Sequence, residues 1–189
     1  MRFKSIGKDV TIYPRARIIC PEEISIGNNV IIDDFVFLYG RGGVTIGDFV
    51  HIGAFCLITG GGGLVLEDFA SISGGVYFYT SNDDYSGMTL TNPTVPKKYK
   101  GAIDGRIHIG KHAIVGARTI IMPNVHIGEG VAIGANSFIK HDCVPWTIYA
   151  GTPAKPIKDR IRDKIPELEK KLREEVYDKN GNYILKDLW

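Results

Sequence analysis

The chain has 189 residues, enough for one domain with a sizeable hydrophobic core and a short additional tail. Its 23 basic and 21 acidic residues leave a net charge of +2, which excludes the strong overall field that draws proteins onto nucleic acid or lipid. Because the sequence contains no run of about eighteen apolar residues and opens without an apolar leader, we expect a cytoplasmic protein that does not insert into a membrane.

An internal repeat of six residues runs through most of the chain. Apolar residues recur at this spacing in four blocks that start twenty residues apart, so each block holds three hexads and two extra residues. These positions are Ile6, Ile12, Ile18, Ile26, Ile32, Leu38, Ile46, Ile52, Ile58, Leu66, Ile72 and Phe78. Glycine often follows the apolar residue, and a small residue such as Cys56 stands four positions after it. Each hexad therefore predicts one flat side of a three-sided coil, with the apolar side chain stacked inward.

Other repeat structures do not fit this spacing. An amphipathic helix needs apolar positions three and four apart. A right-handed β-helix has longer and less regular turns, and an ice-binding coil needs a regular threonine ladder, which is missing here. The sequence thus predicts an all-β fold, a left-handed parallel β-helix over residues 1–157. The hand is inferred from the hexads, because general chirality favours right-handed crossovers.

Residues 80–106 lack the six-residue spacing and predict an excursion loop. Loops of this length inside a compact domain are usually functional or disordered, and the aromatic residues Tyr85 and Tyr99 favour an ordered loop. The spacing then resumes without insertion at Ile109, Val115, Ile121, Ile127, Ile133 and Ile139. The loop is therefore an interruption of one continuous coil.

Residues 158–189 predict a C-terminal helix and tail. A charged helical pattern starts near Ile157, with Pro166 in the first turn. Its apolar residues at spacings of four are Leu168, Leu172 and Val176. We expect this helix to cap the open end of the coil, and Asn180-Gly181 to form a small hairpin or to lie in a frayed terminus.

Three segments carry a family resemblance. They read IGKHAIVGA at 109–117, IGANS at 133–137 and YAGTPAK at 149–155. They resemble the hexapeptide-repeat acetyltransferases, especially the galactoside, xenobiotic and amino-sugar-nucleotide branches. The resemblance implies acetyl-CoA as co-substrate, direct attack on its thioester, and a homotrimer in which the loop of one subunit helps to wall an active site shared with the next.

The start of the excursion loop departs from the family pattern. Many members carry a histidine there as proton acceptor, whereas this chain reads YTSNDDYSG at 79–87. A carboxylate is too weak a base for a sugar hydroxyl but suits an amine that arrives as ammonium, so the aspartates favour N-acetylation. The candidate catalytic residues are Asp83, Asp84 and Asn82, and the candidate substrate-binding residues are Tyr85 and Tyr79. The alternative is a solvated acidic turn without a role in catalysis.

The resemblance also places the coenzyme. It implies that the backbones of Ala117 and Ala135 meet the pantetheine arm. Basic side chains near the end of the coil then hold the phosphates, as point charges suited to exposed anions. These candidates are Lys140, His141, Lys155 and Lys158. The alternative is a solvated basic surface, most of all for Lys158.

The most similar branch acetylates dTDP-4-amino-4,6-dideoxyglucose, which implies an N-acetyltransferase for an amino-deoxy sugar nucleotide in bacterial O-antigen or surface polysaccharide synthesis. The alternative function is O-acetylation of a galactoside or polysaccharide hydroxyl. A zinc site of the γ-carbonic-anhydrase kind is not expected, because His108 and His112 do not match the spacing of that family. We therefore predict no metal.

Overall fold

The computed structural model describes residues 2–184, which form a left-handed β-helix of about seven turns followed by one helix. The strands in chain order are β1 (Ser5–Ile6), β2 (Thr11–Ile12), β3 (Arg17–Ile19), β4 (Ile24–Ile26), β5 (Ile31–Ile32), β6 (Phe37–Tyr39), β7 (Val44–Ile46), β8 (His51–Ile52), β9 (Leu57–Thr59), β10 (Leu64–Leu66), β11 (Ser71–Ile72), β12 (Tyr77–Tyr79), β13 (Ser81–Asn82), β14 (Ile103–Asp104), β15 (Ile107–Ile109), β16 (Ile114–Val115), β17 (Ile120–Ile121), β18 (His126–Ile127), β19 (Ala132–Ile133), β20 (Phe138–Ile139), β21 (Thr147–Gly151) and β22 (Ala154–Asp159). Helix α1 spans Lys164–Val176, and 3₁₀ turns lie at Pro21–Glu23 and Lys97–Tyr99. Among the described residues, no helix is long and apolar enough to cross a membrane.

Three flat faces run along the coil. Face A consists of β1, β4, β7, β10, β15 and β18, face B of β2, β5, β8, β11, β16, β19 and β21, and face C of β3, β6, β9, β12, β17 and β20. Neighbouring strands of these faces pair in parallel, so that equivalent residues of successive turns lie side by side, as Ile26 does with Ile46. β22 pairs antiparallel with β21 at the end of face B. The edges between the faces are named the A/B, B/C and C/A corners.

The inward columns confirm the prediction from the hexads. Ile32, Ile52 and Ile72 stand in register on face B, and each is 0% exposed. Burial of one such side chain stabilises the fold by about 2 kcal/mol. Cys56, the small residue of its hexad, is also buried, which raises the pKa of its thiol to about 11. Ile6 is 51% exposed, because it lies in the first turn and is covered from one side only.

The A/B corner carries an aromatic ladder. Phe49, Phe69 and His112 occupy equivalent positions in successive turns, with φ values of 58°, 61° and 58°. Successive ring centroids lie 5.0 Å apart with nearly parallel planes. Positive φ is unfavourable for residues that carry a side chain, and the stacking contacts offset that cost. The corner thus presents a flat aromatic surface.

Helix α1 lies along this ladder, so the expectation that it caps the open end of the coil is wrong. Nε2 of His112 lies 2.7 Å from one carboxylate oxygen of Glu169, and Nζ of Lys111 lies 2.6 Å from the other. Arg173 joins Glu169 to Asp68, with both contacts at 2.5 Å. We call these five residues the α1 clamp. Complementary charges on the flank of the coil, which the helical pattern does not reveal, therefore decide where the helix packs.

The segments on either side of α1 differ in how well they were predicted. Ile157, placed at the start of the helical pattern, belongs instead to β22, because that segment hydrogen-bonds along β21. Pro166 lies in the first turn of α1 as predicted. Beyond α1, Tyr177 and Tyr183 form an antiparallel bridge around the Asn-Gly turn, which agrees with the hairpin alternative. The last part of the predicted tail, residues 185–189, lies outside the described residues.

The α1 clamp makes stability depend on pH through Glu169. Burial alone would raise the pKa of this carboxyl, but hydrogen bonds from Lys111, Arg173 and His112 lower it from 4.5 to about 2. Because the pKa of Glu169 is lower in the folded state than in the unfolded state, its ionised carboxylate stabilises the fold above about pH 4.5. This contribution is lost as the pH falls toward 2. We expect Glu169→Gln to reduce stability at pH 7 by about 3 kcal/mol. Thermal melts from pH 7 to pH 3 should show a smaller loss for the variant, and parallel curves for both proteins would contradict this assignment.

Candidate functional site

The excursion leaves the coil at the C/A corner, between β12 and β15. Thr80 anchors it: its buried hydroxyl donates to the carbonyl of Thr59 at 3.0 Å, and its own carbonyl accepts from Gly105 N–H at 2.9 Å. A Cβ on Gly62 would lie 2.4 Å from that same carbonyl oxygen, so glycine is needed for the coil to pass beneath the loop. β13 and β14 then pair antiparallel above this anchor.

Asp84 organises the loop from within. Its carboxylate accepts from the amide and hydroxyl of Ser86 at 2.8 and 2.6 Å, and from the amide and hydroxyl of Thr89 at 2.8 and 3.0 Å. These bonds, those from Ser86 above all, lower the pKa of Asp84 to about 2. A carboxylate so engaged is a poor proton acceptor but an effective support for the loop.

Asp83, unlike Asp84, has a carboxylate that can accept further hydrogen bonds. Within residues 2–184 it accepts one hydrogen bond, from the amide of Asn92 at 3.2 Å. Its neighbour Asn82 lies in β13, where its backbone pairs with Ile103. The loop therefore holds Asp83 next to a strand while leaving most of its acceptor positions open.

A second polar pair at the base of the loop was missed in the sequence analysis. The hydroxyl of Ser81 donates to a carboxylate oxygen of Asp104 at 2.6 Å. The two residues are 23 positions apart and face each other across β13 and β14. No motif marks the pairing, because it depends on how the two ends of the excursion meet. The pair fixes the end of the loop that leads into Asn82 and Asp83.

The two candidate tyrosines lie in different settings. Tyr79 ends β12, and its ring packs edge-to-face with that of Tyr77 at a centroid distance of 6.2 Å. Tyr85 lies at the exposed side of the loop with 88% of its surface accessible. A large aromatic side chain this exposed is available to a ligand or to another chain.

The candidate coenzyme alanines lie on the B/C corner. Ala117 and Ala135 occupy equivalent positions in successive turns, and the carbonyl of Ala117 accepts from Asn136 N–H at 2.8 Å. Within the described chain, the amides of both alanines donate to no protein acceptor. Ala117 also lines a cavity of about 530 Å³ on this corner. Two N–H groups without a protein acceptor, at equivalent positions of successive turns, suit the carbonyl oxygens of a pantetheine arm.

The candidate phosphate-binding residues gather toward the C-terminal end of the coil. Lys140 and His141 line a cavity of about 240 Å³ together with Ala154 and Pro156. Lys155 lies between the last two in β22, and Lys158 pairs with Ile148 farther along the same strand. The four basic side chains are exposed. The structure thus places Lys140 and His141 together, with Lys155 close in sequence to the same cavity.

The loop and the alanine corner are separated within one protomer. The loop leaves from the C/A corner, whereas Ala117 and Ala135 lie on the B/C corner, at the opposite edge of face C. The carboxylate of Asp83 and the row of amides cannot both line one cleft of a single chain unless the loop crosses that face.

Two surface histidines pair with carboxylates. His51 pairs with Asp33 at 3.0 Å, and His108 with Glu67 at 2.7 Å, all on the outside of the coil. No group of three potential metal ligands occurs in the described part of the chain. The two histidine–carboxylate pairs are ordinary surface hydrogen bonds.

Comparisons with known proteins agree with the fold. Residues 106–141 match the family described as bacterial transferase hexapeptide (six repeats). The chain is 44% identical over 170 residues to a dTDP-4-amino-4,6-dideoxy-D-glucose acyltransferase of Escherichia coli, covering 89% of this chain and 88% of the relative.

Two solved structures of AntD, an N-acyltransferase from Bacillus cereus, are also similar. One holds dTDP and 3-hydroxybutyryl-CoA; it is 46% identical with a TM-score of 0.86 and covers 92% of this chain and 91% of its own. The other, a mutant, holds dTDP-4-amino-4,6-dideoxyglucose and coenzyme A; it is 47% identical with a TM-score of 0.87 and the same coverage. Both ligand sets combine a dTDP group with a coenzyme A group.

Proposed function

The chain belongs to the hexapeptide-repeat acyltransferase family, and on that premise we propose that it transfers an acetyl group from acetyl-CoA to the amino group of a dTDP-4-amino-4,6-dideoxyglucose-type sugar nucleotide. The observation that carries the proposal is the 47% identity, over 92% of the chain, to AntD holding that sugar nucleotide and coenzyme A. The loop agrees with it, since it offers an open carboxylate and no histidine.

The chain's own groups divide the work between the two corners. Acetyl-CoA supplies an acyl group activated as a thioester. The amides of Ala117 and Ala135 hold the pantetheine arm along the B/C corner, while Lys140, His141, Lys155 and Lys158 surround the phosphates. This arrangement fixes the donor so that the acceptor amine meets it at short range, which supplies much of the rate acceleration in acyl transfer.

Asp83 acts on the acceptor. Its open carboxylate oxygens hold the sugar ammonium and accept one proton from it, which leaves a neutral amine whose lone pair attacks the thioester carbonyl. As the C–S bond then breaks, the second nitrogen proton passes to the departing coenzyme A sulfur, which leaves as the thiol. Asn82 and Tyr85 orient the sugar, and Tyr79 lines its approach. Asp84 keeps the loop in shape through its four hydrogen bonds. Two adjacent aspartates thus have different tasks, set by their different hydrogen bonding.

A homotrimer completes the site. The outward column of face C starts with Arg17 and is then apolar over five turns, with Phe37, Leu57, Tyr77, Ile120 and Phe138. The outward column of face A is mostly polar and consists of Ser5, Ser25, Thr45, Val65, His108 and His126. A continuous apolar column on the outside of a coil favours burial against another protomer, and a head-to-tail contact closes as a ring. The family resemblance supports a ring of three.

The product fits surface polysaccharide synthesis, including O-antigen, because an activated N-acetylated sugar is a donor for glycan assembly. We place the reaction in the cytoplasm, as the sequence predicts.

A competition assay tests the function. The protein is given acetyl-CoA with equal amounts of dTDP-4-amino-4,6-dideoxyglucose and the matching 4-hydroxy sugar nucleotide, and products are separated by mass spectrometry. Because the amine gives up its proton far more readily than the hydroxyl, we expect the N-acetylated product to dominate by about 100-fold or more. Turnover of the hydroxyl acceptor alone would refute the proposal in favour of an O-acetyltransferase. A parallel reaction with 3-hydroxybutyryl-CoA measures how strictly the acyl group is selected.

A further inference from the structure

The B/C corner forms a ladder with one rung missing. In the second to the sixth turn one residue projects outward there with positive φ, and successive rungs are linked by backbone hydrogen bonds between neighbouring turns. In chain order these rungs are Phe35, Phe55, Gly75, Arg118 and Asn136. Phe35 and Phe55 stack with centroids 5.0 Å apart and planes 7° from parallel. The next rung, Gly75, has no side chain.

Local structure does not require the glycine. Phe35 and Phe55 hold side chains at φ 63° in the same ladder, within 10° of the value of 72° at Gly75. A Cβ on Gly75 would meet Cγ of Arg118 at 3.5 Å, an ordinary van der Waals contact. The absence of a side chain at Gly75 therefore leaves an open slot between the Phe55 ring and Arg118. These two residues lie two turns apart, which is about 10 Å along the coil.

The slot has the features of a site for a flat ring. Phe55 is 62% exposed, although Phe35 covers one of its faces. The cavity of about 530 Å³ lies here, lined by Phe55, Gly75 and Arg118, with Tyr77 and Ile120 from face C. Within residues 2–184 Arg118 takes part in no ion pair. A ring at the level of Gly75 would lie about 5 Å from Phe55, with a guanidinium on its other side.

We propose that this slot binds the pyrimidine base of the acceptor nucleotide, stacked between Phe55 and Arg118, with the arginine also attracting the diphosphate. The inference rests on the proposed function, because it assigns one part of the same substrate. Base stacking on aromatic and arginine side chains is a general mode of nucleotide binding. The slot thereby contributes to selection of a nucleotide-linked sugar over a free one.

Position favours the acceptor over coenzyme A, the other source of a base. Ala117, the first candidate coenzyme contact, borders this cavity, and the other contacts continue away from it toward the C-terminal end with Ala135, Lys140 and Lys155. The slot lies on the N-terminal side of the Arg118 rung. Arg15, whose guanidinium lies 5.4 Å from the Phe35 ring, adds a second cation at the N-terminal end of the same ladder. The N-terminal half of the corner is thus open to a second anionic nucleotide.

Filling or removing one side of the slot tests the proposal. Gly75→Phe places the chain's own ring on the missing rung in a conformation its neighbours adopt, and Phe55→Ala removes the stacking surface. Titration calorimetry with dTDP and, separately, with coenzyme A should show dTDP binding weakened about 10- to 100-fold in both variants. Coenzyme A binding by both variants should change by less than about threefold. The control is Phe35→Ala, which removes a ring that does not line the slot, and its affinity for dTDP should also change by less than about threefold.

The other outcomes are distinct. Unchanged dTDP affinity in both variants overturns the proposal, even if the wild-type protein acylates the amino sugar. Loss of coenzyme A affinity instead assigns the slot to the donor, and dissociation of the oligomer assigns it to a side chain of a neighbouring subunit; both results overturn it. If the wild-type protein binds dTDP through the slot but acylates no amino sugar, the proposed function fails while the nucleotide site stands.

Discussion

Asp83→Asn is expected to lower kcat/KM for the amino-sugar nucleotide by about 100- to 1000-fold, because it removes the charge that holds the ammonium and the oxygen that accepts its proton. The change is isosteric, and the one hydrogen bond from Asn92 is to an oxygen that asparagine also offers. Folding should therefore be unaffected. Steady-state kinetics together with the dissociation constant of coenzyme A, which should not change, provide the measurement.

Two comparison variants make this result specific to Asp83. Asp163→Asn removes the same charge at an exposed position just before α1 that makes no capping hydrogen bond, and should leave kinetics unchanged. Asp84→Asn replaces an acceptor of four bonds with a group that accepts fewer, so it should loosen the loop and raise KM as well as lower kcat. If Asp83→Asn retained activity within about threefold of wild type, Asp83 would have no role in the reaction.

Leu57→Glu is expected to convert the proposed trimer to monomers and to abolish measurable activity. Leu57 belongs to the apolar column on face C, between Phe37 and Tyr77. An unpaired carboxylate buried in an interface costs several kcal/mol at each of three contacts. Light scattering with size-exclusion chromatography measures the assembly, and circular dichroism establishes that the monomer stays folded, since the inward core is untouched.

Thr45→Glu is the matched control for this change. Thr45 lies in the same turn of the coil, but on the outward column of face A, where it is exposed among polar neighbours. The variant should remain trimeric and active. An active trimer formed by Leu57→Glu would mean that face C does not carry the interface, and folded monomers with full activity would show that a single chain assembles the site.

The two predictions depend on each other through geometry. Asp83 and Ala117 lie at opposite edges of face C, so in the proposed trimer the loop works against the alanine corner of a neighbouring chain. Mixing inactive Asp83→Asn chains with chains inactivated at the B/C corner should then restore part of the activity. In mixed trimers some clefts combine the intact loop of one chain with the intact corner of the other.

Much of the protein follows from the sequence alone. A step of six with a block length of twenty leaves a single way to bury every apolar column, so positions such as Ile32, Ile52 and Ile72 define the coil and its core. The family relation was also readable, because the YAGTPAK segment at 149–155 is specific to it, and the relatives confirm it. The six-residue pattern is local and repeats many times, so many positions predict the same fold independently.

Only the tertiary structure decided how side chains distant in sequence meet. The different hydrogen bonding of Asp83 and Asp84, the pairing of Ser81 with Asp104 and the position of α1 on the A/B corner each depend on a few contacts that no repeat reinforces. The empty rung at Gly75 has the same origin, since a glycine in the sequence becomes a slot only when Phe55 and Arg118 are stacked on either side of it. The six-residue repeat determines the coil because the same apolar contact recurs in every turn. The chemistry of the candidate site, in contrast, depends on contacts that occur only once.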